Sequence, residues 1–561
     1  MSTPTQEPAK PQPSMLRSAG LVGFMTLLSR ITGMLQSRML AHYLGVGMAA
    51  DAFFVAYRLP NLLRRFTAEG TMTAAFLTTV SETEARDGEE ETRDLVARFL
   101  GTLTLLMILL CTLGILGMGL VTGLQMLGRI APPDAPLLEQ LAGLGQVLAG
   151  SRPAPSGLGL TTNLGRIMFS YLGLVSLTAG LSAVLNLRGR FGLPAAVSIF
   201  WNLTFMGLSY AVFQLGPPAW QDPLRASLVF SIAVIAGGLV QLFILWPSFR
   251  GLGYRIKLGF FLKHPGVRLA LKRMVPGLMG TGIAPINAVI SMAIASQLRE
   301  GAQTVLFNSV MLSEMVLGLF TASVATVSLP VMSRLVGAKD LDGLRESLVT
   351  ALRGTAVLAI PASIGMAVLA HPIVALIFQT GRFNADSVRW TATTLAFQAV
   401  GILFIAAGRI IAQCLYALKD YRTPAYAALL GMVVNIVLSI LLMTPLGTGG
   451  IALANGFASM VGLGLLALSL RRRLGRLPYR QVLVGWSLMI GAAGLMGMLA
   501  GYGGRIIDVF TFHGVLGTSL RLFPLIGVSA AFYFALLIFL RVDEARGMAA
   551  LVKRKLGITR R

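Results

Sequence analysis

Residues 51–76 read DAFFVAYRLPNLLRRFTAEGTMTAAF, a segment with the composition of a buried helix that nevertheless carries Asp51, Arg58, Arg64, Arg65 and Glu69. At ~100° per residue, Asp51, Arg58 and Arg65 repeat every seven positions and Glu69 follows Arg65 by four, so these four share one stripe about 40° wide. Arg64 falls off that stripe in a straight helix. Pro60 removes a backbone hydrogen bond and bends the helix, so either arginine of the pair can turn inward. A second polar set lies upstream in Ser29, Arg30, Thr32, Gln36 and Ser37, with Arg38 beyond it. A charge at mid-membrane costs at least ~2.5–3.5 kcal/mol and persists where it faces a wet cavity or a partner. Internal pairing accounts for any single charge but not for the set, because Arg30, Arg58, Arg64 and Arg65 outnumber Asp51 and Glu69. The excess calls for an anion, and the planar fork of arginine suits phosphate or carboxylate. The chemistry expected is recognition of an anionic substrate in a cationic, water-filled cavity, not catalysis.

Two further candidates rank lower. Arg409 lies in AAGRIIAQCLYALKD, about two turns from a span end, and can snorkel there. Glu314 can pair with a cavity arginine, bind a cation or simply join two helices.

These residues need helices to hold them. The chain has 561 residues, 55% hydrophobic and 12% charged, with a mean hydropathy of +0.74. Apolar runs of the ~20 residues that cross a bilayer recur throughout. Alternating barrel strands are absent, which leaves an all-α polytopic membrane protein. Fourteen spans are expected, at about 17–43, 49–80, 95–125, 161–187, 193–214, 225–248, 274–298, 303–332, 346–378, 387–417, 424–444, 449–470, 481–501 and 521–540. The acidic stretch 81–94 reads as a solvated linker. Short amphipathic helices are expected at 136–148 and, with Phe260, Phe261 and Leu262 in lipid, at 256–273.

The net charge of +24 sits mainly in short loops, which excludes nucleic acid as its explanation and reports orientation instead. Loops 249–273, 418–423 and 471–480 and the tail VKRKLGITRR are basic, and an even number of spans precedes each. Both termini are therefore expected on the cytoplasmic side. Cys111 and Cys414 lie inside apolar runs and the four histidines are scattered, so neither disulfide nor metal nor cofactor is expected.

A faint repeat lays LGVGMAADAFFVAYRL (44–59) on LREGAQTVLFNSVMLS (298–313). It suggests six-helix lobes at 17–250 and 251–475 with two appended helices at 476–541 and substrate held between the lobes; by composition, the polar, Pro-rich residues 1–16 read as a disordered tail and 542–561 as a basic one.

The block SRITGMLQSRMLAHYLGVGMAADAFFVAYRLPNLLRRFTAEGTMTAAF (29–76), with FQTGRFNADS (378–387) and LYALKDYRTP (415–424), closely resembles the MurJ (MviN) family of bacterial lipid II flippases. The likeness extends over essentially the whole chain. It implies membership of the multidrug/oligosaccharidyl-lipid/polysaccharide exporter superfamily, with two lobes around a central cavity and two C-terminal helices forming a groove for the lipid tail. It further implies movement of undecaprenyl-pyrophosphate-linked disaccharide-pentapeptide between leaflets of the bacterial inner membrane. The family's cavity residues map onto Arg30, Asp51, Arg58, Arg64, Arg65 and Glu69. The implied partners are lipid II, membrane lipids and cell-wall synthesis or division proteins. Gln36 and Met311 stand where the family usually or commonly has arginine, and Arg38 is about 200° from Gln36 on a straight helix. The sodium site of some members uses acids in spans 7 and 11; span 7 has none, and span 11 offers only Asn435 and Ser439. A paralogue carrying another polyprenyl-linked glycan and a membrane scaffold for cell-wall enzymes are the competing readings. A drug exporter for organic cations would want cavity carboxylates, and a glycosyltransferase would want an extramembrane catalytic domain.

Overall fold

The computed structural model describes residues 13–68, 71–130, 135–281, 283–475, 479–507 and 514–555, with side chains at 20–64, 76–130, 135–136, 138–274, 283, 285–318, 328–475, 479–504 and 517–550. Among these residues the regular structure is helical. The principal helices of the first half are α1 Pro13–Leu44, α2 Met48–Ala68, α3 Thr71–Leu116, α4 Tyr171–Leu187, α5 Gly192–Leu215 and α6 Pro223–Gly251. Those of the second half are α7 Ile283–Ala295, α8 Ala302–Gly337, α9 Leu341–Val368, α10 Ile402–Ala417, α11 Arg422–Leu446, α12 Thr448–Leu474, α13 Tyr479–Ile507 and α14 Gly514–Phe539. Nine helices among the described residues are long and apolar enough to cross a membrane, or ten if the bent pair Ala385–Ala399 and Ile402–Ala417 is one span. The chain is an all-α multi-pass membrane protein. The arginine-bearing α1 and α2 are not among the nine.

Two compact units emerge. The first comprises residues 1–44, 55–122 and 157–279, the second residues 45–54, 123–156 and 280–561. The first packs Phe76, Phe99, Leu181, Leu245, Phe249 and Tyr254 into one core. The second gathers Leu352, Ile410, Ile411, Leu415 and Leu470. Elsewhere apolar side chains face outward. On α11, Leu429, Val433, Val437, Ile440 and Leu441 are all exposed, as expected of a helix face covered by lipid.

Two local expectations change. Stretch 81–94 is not a linker but part of α3, interrupted only at Gly88, whose φ of 87° lies where glycine is at ease. Glutamate, alanine and arginine are good helix formers, and the i,i+4 pairs Glu89–Arg93 and Asp94–Arg98 support the helix. The expected interfacial helix begins only at Pro265. Before it, the chain runs irregularly against α3, with the Lys257 N–H donating to the Ala97 carbonyl at 3.1 Å. Gly101 permits this approach, since a Cβ there would lie 1.6 Å from the Lys257 oxygen. Ion pairs fasten the same end of the unit: Glu84 to Arg188 at 2.6 Å, Asp94 to Lys257 at 2.6 Å and Glu82 to Arg273 at 2.7 Å. The helix expected at 136–148 runs Leu137–Leu148.

Candidate functional site

The first unit holds a half-open cavity of ≈ 630 Å³ among α1, α2, α4, α5 and α6. Helical spacing explains which residues reach it. On α4, Tyr171, Val175, Thr178, Ser182 and Asn186 recur every three or four positions and form one stripe. On α2, Tyr57 and Arg64 are seven apart and face the cavity together. The cavity stripe of α2 is therefore offset by one residue, about 100°, from the Arg58–Arg65 stripe expected from sequence. Ser29 and Gly33 contribute from α1, Ser198 and Trp201 from α5, and Gln241 from α6.

Arg64 is the charged residue of this wall, and its Nε donates to Asn61 Oδ1 at 3.2 Å. No carboxylate lies among the described lining residues. Asn202, also on the cavity wall, ties α5 to α1, donating from Nδ2 to the Ser29 carbonyl at 3.1 Å and to Thr32 Oγ1 at 2.8 Å. Arg30, Gln36 and Arg38 are half-buried on α1 and lie off this lining. Arg58 is 9% exposed and also lies off it. The side chains of Arg65 and Glu69 fall outside the described residues.

Asp51, expected to face the cavity, takes another role. It belongs to the second unit, where it is 0% exposed. Its Oδ2 accepts from Arg129 Nη2 at 2.6 Å and from the Gly301 N–H at 2.7 Å. Its Oδ1 accepts from the Thr304 N–H at 2.8 Å and the Thr304 hydroxyl at 2.7 Å. Asp51 thus caps the start of α8 from outside that helix, satisfying N–H groups that have no intrahelical partner. The physical reason is burial: an enclosed carboxylate must be paired and hydrogen-bonded, and a helix N-terminus with an arginine supplies both. Gly301, at φ 92°, leaves the room this requires, since a Cβ there would lie 2.4 Å from Val46 Cγ1.

Glu314 and Arg409 meet within the second unit at 3.1 Å, with side chains 42% and 39% exposed. In the same unit, Asn435 Nδ2 donates to Asn287 Oδ1 at 2.9 Å and to Ser291 Oγ at 3.0 Å. This is the place on spans 7 and 11 where a sodium site would be sought. The cluster is neutral, and an amide donor points at the oxygens that a hard cation would need as ligands. The donor set does not fit sodium.

Sequence reasoning missed Arg129, which reads as an isolated loop cation, and Thr304, whose link to Asp51 spans 253 residues. It also passed over the α4 stripe, although Thr178, Ser182 and Asn186 stand four apart in an apolar run. The other motif blocks hold helix caps too. Asn384 accepts from the Ser387 N–H at 2.9 Å. Asp420 accepts from the Arg422 and Thr423 N–H groups at 3.1 Å each and pairs with Arg473 at 2.8 Å.

Comparison with known proteins places this architecture. Residues 40–523 match the family described as lipid II flippase MurJ. The probable lipid II flippase MurJ of Vibrio cholerae is 31% identical over 529 residues, covering 94% of this chain and 96% of that protein. The lipid II flippase MurJ of Burkholderia cenocepacia is 31% identical over 494 residues, covering 86% and 90%. Among solved structures, a lipid II flippase MurJ in an inward closed conformation superposes with a TM-score of 0.70 at 22% identity, covering 93% of this chain and 99% of that one. An inward-facing multidrug resistance MATE transporter of the MOP superfamily gives 0.61 at 10% identity, covering 81% and 98%. These last two likenesses concern the fold alone. By the family match and the near-full-length relatives, the chain belongs to the MurJ family of lipid II flippases.

Proposed function

We propose that this protein moves lipid II, the undecaprenyl-pyrophosphate-linked disaccharide-pentapeptide, from the cytoplasmic to the periplasmic leaflet of the bacterial inner membrane. The observation that carries the reading is Arg64 on the wall of a cavity of mixed polar and apolar lining that holds no carboxylate among its described residues, in a chain of this family. Arg64, with Arg30, Arg58, Arg65 and Glu69, forms the proposed binding set for the pyrophosphate, and Gln36, Arg38, Glu314 and Arg409 lie in a second rank. Asp51 supports that set by anchoring the start of α2 through its partners on α8 and Arg129. In this mechanism the six-helix lobes at 17–250 and 251–475 alternate access, and the helices of 476–541 guide the lipid tail. Both termini lie in the cytoplasm. The protein acts by transport rather than catalysis, and the membrane potential supplies a force on charges that cross the bilayer.

A second reading, export of another polyprenyl-linked oligosaccharide, is favoured by Gln36 and Met311 in place of family arginines. Complementation of flippase-depleted cells, scored by periplasmic accessibility of lipid II, separates the two. Restored accessibility supports lipid II as cargo. Failure despite normal membrane levels favours the other glycan, and Gln36→Arg with Met311→Arg then tests whether those two positions account for it.

A further inference from the structure

The cavity of the first unit contains more than an anion site needs. A pyrophosphate asks for cations, and this wall offers Arg64 alone among neutral polar, aromatic and small aliphatic groups such as Val175, Ala179 and Ala195. Ser182, Asn186 and Ser198 line it and make no side-chain hydrogen bond among the described residues. Gln241 is 5% exposed, and its Nε2 donates to the Val197 carbonyl at 3.3 Å. Its Oε1 is buried with no partner among the described residues. A buried acceptor without a donor is costly, so a small turn of the Gln241 side chain that meets an N–H or O–H group in the cavity would relieve it. Tyr57, Tyr171 and Trp201 add aromatic surface to the same cavity.

Each feature narrows the occupant. The described lining has no carboxylate, which disfavours an organic cation. A single guanidinium serves one phosphate at the edge of the cavity and leaves the rest of the wall to a neutral group. The hydroxyls and amides disfavour a hydrocarbon tail. A pyranose fits all of them: its hydroxyls both donate and accept, its C–H face lies against aromatic rings, and an acetamido substituent brings an N–H donor for a buried acceptor. The volume of ≈ 630 Å³ falls within the range of small-ligand pockets, about 300–1,000 Å³.

We propose that this cavity is a saccharide subsite that takes an N-acetylhexosamine ring of the cargo, with Gln241 Oε1 accepting from the acetamide N–H and Arg64 reaching the phosphate on the anomeric carbon. The proposal rests on the reading that the cargo is a lipid-linked glycan, and adds which part of it the first unit recognises and through which groups. Asn186 and Ser182 serve the ring hydroxyls. Specificity for the sugar thus resides on α4 and α6, apart from the arginines of α1 and α2.

The test uses the purified full-length chain in lipid nanodiscs and three soluble probes: N-acetylglucosamine 1-phosphate, glucose 1-phosphate and inorganic phosphate. Binding is read by calorimetry and by ligand-observed NMR. The expected order is N-acetylglucosamine 1-phosphate above glucose 1-phosphate above phosphate. Gln241→Leu should remove about three- to tenfold of the preference for the N-acetyl sugar, the worth of one hydrogen bond. Asn186→Leu should weaken both sugar phosphates while leaving phosphate unchanged, and serves if Gln241→Leu fails to fold. The proposal is overturned if phosphate binds as tightly as the sugar phosphates, if no probe binds, or if both variants keep wild-type affinities for all three probes. Lipid II translocation in cells is scored separately. Translocation without sugar discrimination removes the subsite and keeps the function; sugar discrimination without lipid II translocation keeps the subsite and removes lipid II as cargo.

Discussion

Arg129 Nη2 lies 2.6 Å from Asp51 Oδ2, with the two side chains 10% and 0% exposed. The contact joins the short helix Leu127–Ile130 to the start of α2, and the same carboxylate closes the N-terminus of α8. Residues distant in sequence therefore converge on one buried anion. Removing a single partner from such a pair leaves an uncompensated charge, at a cost of about 3–5 kcal/mol. Arg129→Leu should lower the stability of the purified protein by that amount in denaturant unfolding. Asp51→Asn combined with Arg129→Leu should recover part of the loss. Additive losses would show that the two side chains act independently.

At Arg64 the expected effect is on transport, not on folding. Arg64→Gln should leave membrane levels near wild type and weaken apparent substrate affinity about 10- to 100-fold, the range of a charged hydrogen bond. Arg64→Lys keeps the charge but not the fork and should recover only part of the activity. Periplasmic accessibility of lipid II, normalised to protein level, reads both.

Acid should act at Asp420, between α10 and α11. Burial alone would raise its carboxyl, but hydrogen bonds from Thr423 and Arg422 and the charge of Arg473 hold it below the ordinary value of 3.8. A carboxyl depressed in the folded state contributes stability above its unfolded pKa and loses it as the pH falls through the folded value. Wild type should therefore exceed Asp420→Asn by a constant margin in thermal unfolding above about pH 5, and the margin should shrink below about pH 3.8. A margin independent of pH down to about pH 2 would contradict the assignment.

Sodium should not matter. The amide of Asn435 already satisfies the oxygens of Asn287 and Ser291, so replacing sodium with choline in a proteoliposome or cell assay should leave transport unchanged. Loss of activity on that exchange would place a cation site elsewhere in the chain.

Much of this was legible from residue patterns, and the exceptions have physical causes. The apolar runs and the arginine excess follow from composition, because a bilayer tolerates few charges without a use for them. The choice between Arg64 and its neighbours was not legible, since one residue turns a side chain through ~100° and Pro60 lies between them and the helix start. Asp51 was misread because its partners stand at positions 129, 301 and 304, which no local pattern connects to it. The acidic stretch of α3 was misread for the opposite reason. Its charge density suggested solvation, while the i,i+4 spacing of Glu89 and Arg93 already favoured helix. The α4 stripe is present in plain spacing but is no signal by itself, because hydroxyls in apolar helices commonly return their hydrogen bonds to their own backbone, as Thr178 does to the Leu174 carbonyl.

The ion pairs around the Gly88 bend differ in kind from the enclosed Asp51 contact. Glu82, Arg273 and Lys257 are 53%, 34% and 55% exposed, so mobile ions reach them, and at physiological ionic strength attraction fades beyond about 8 Å. That end of the first unit is thus a buckle whose tension varies with the salt of its surroundings. A rise in the salt that bathes it would slacken the buckle first, while the apolar interior kept its shape.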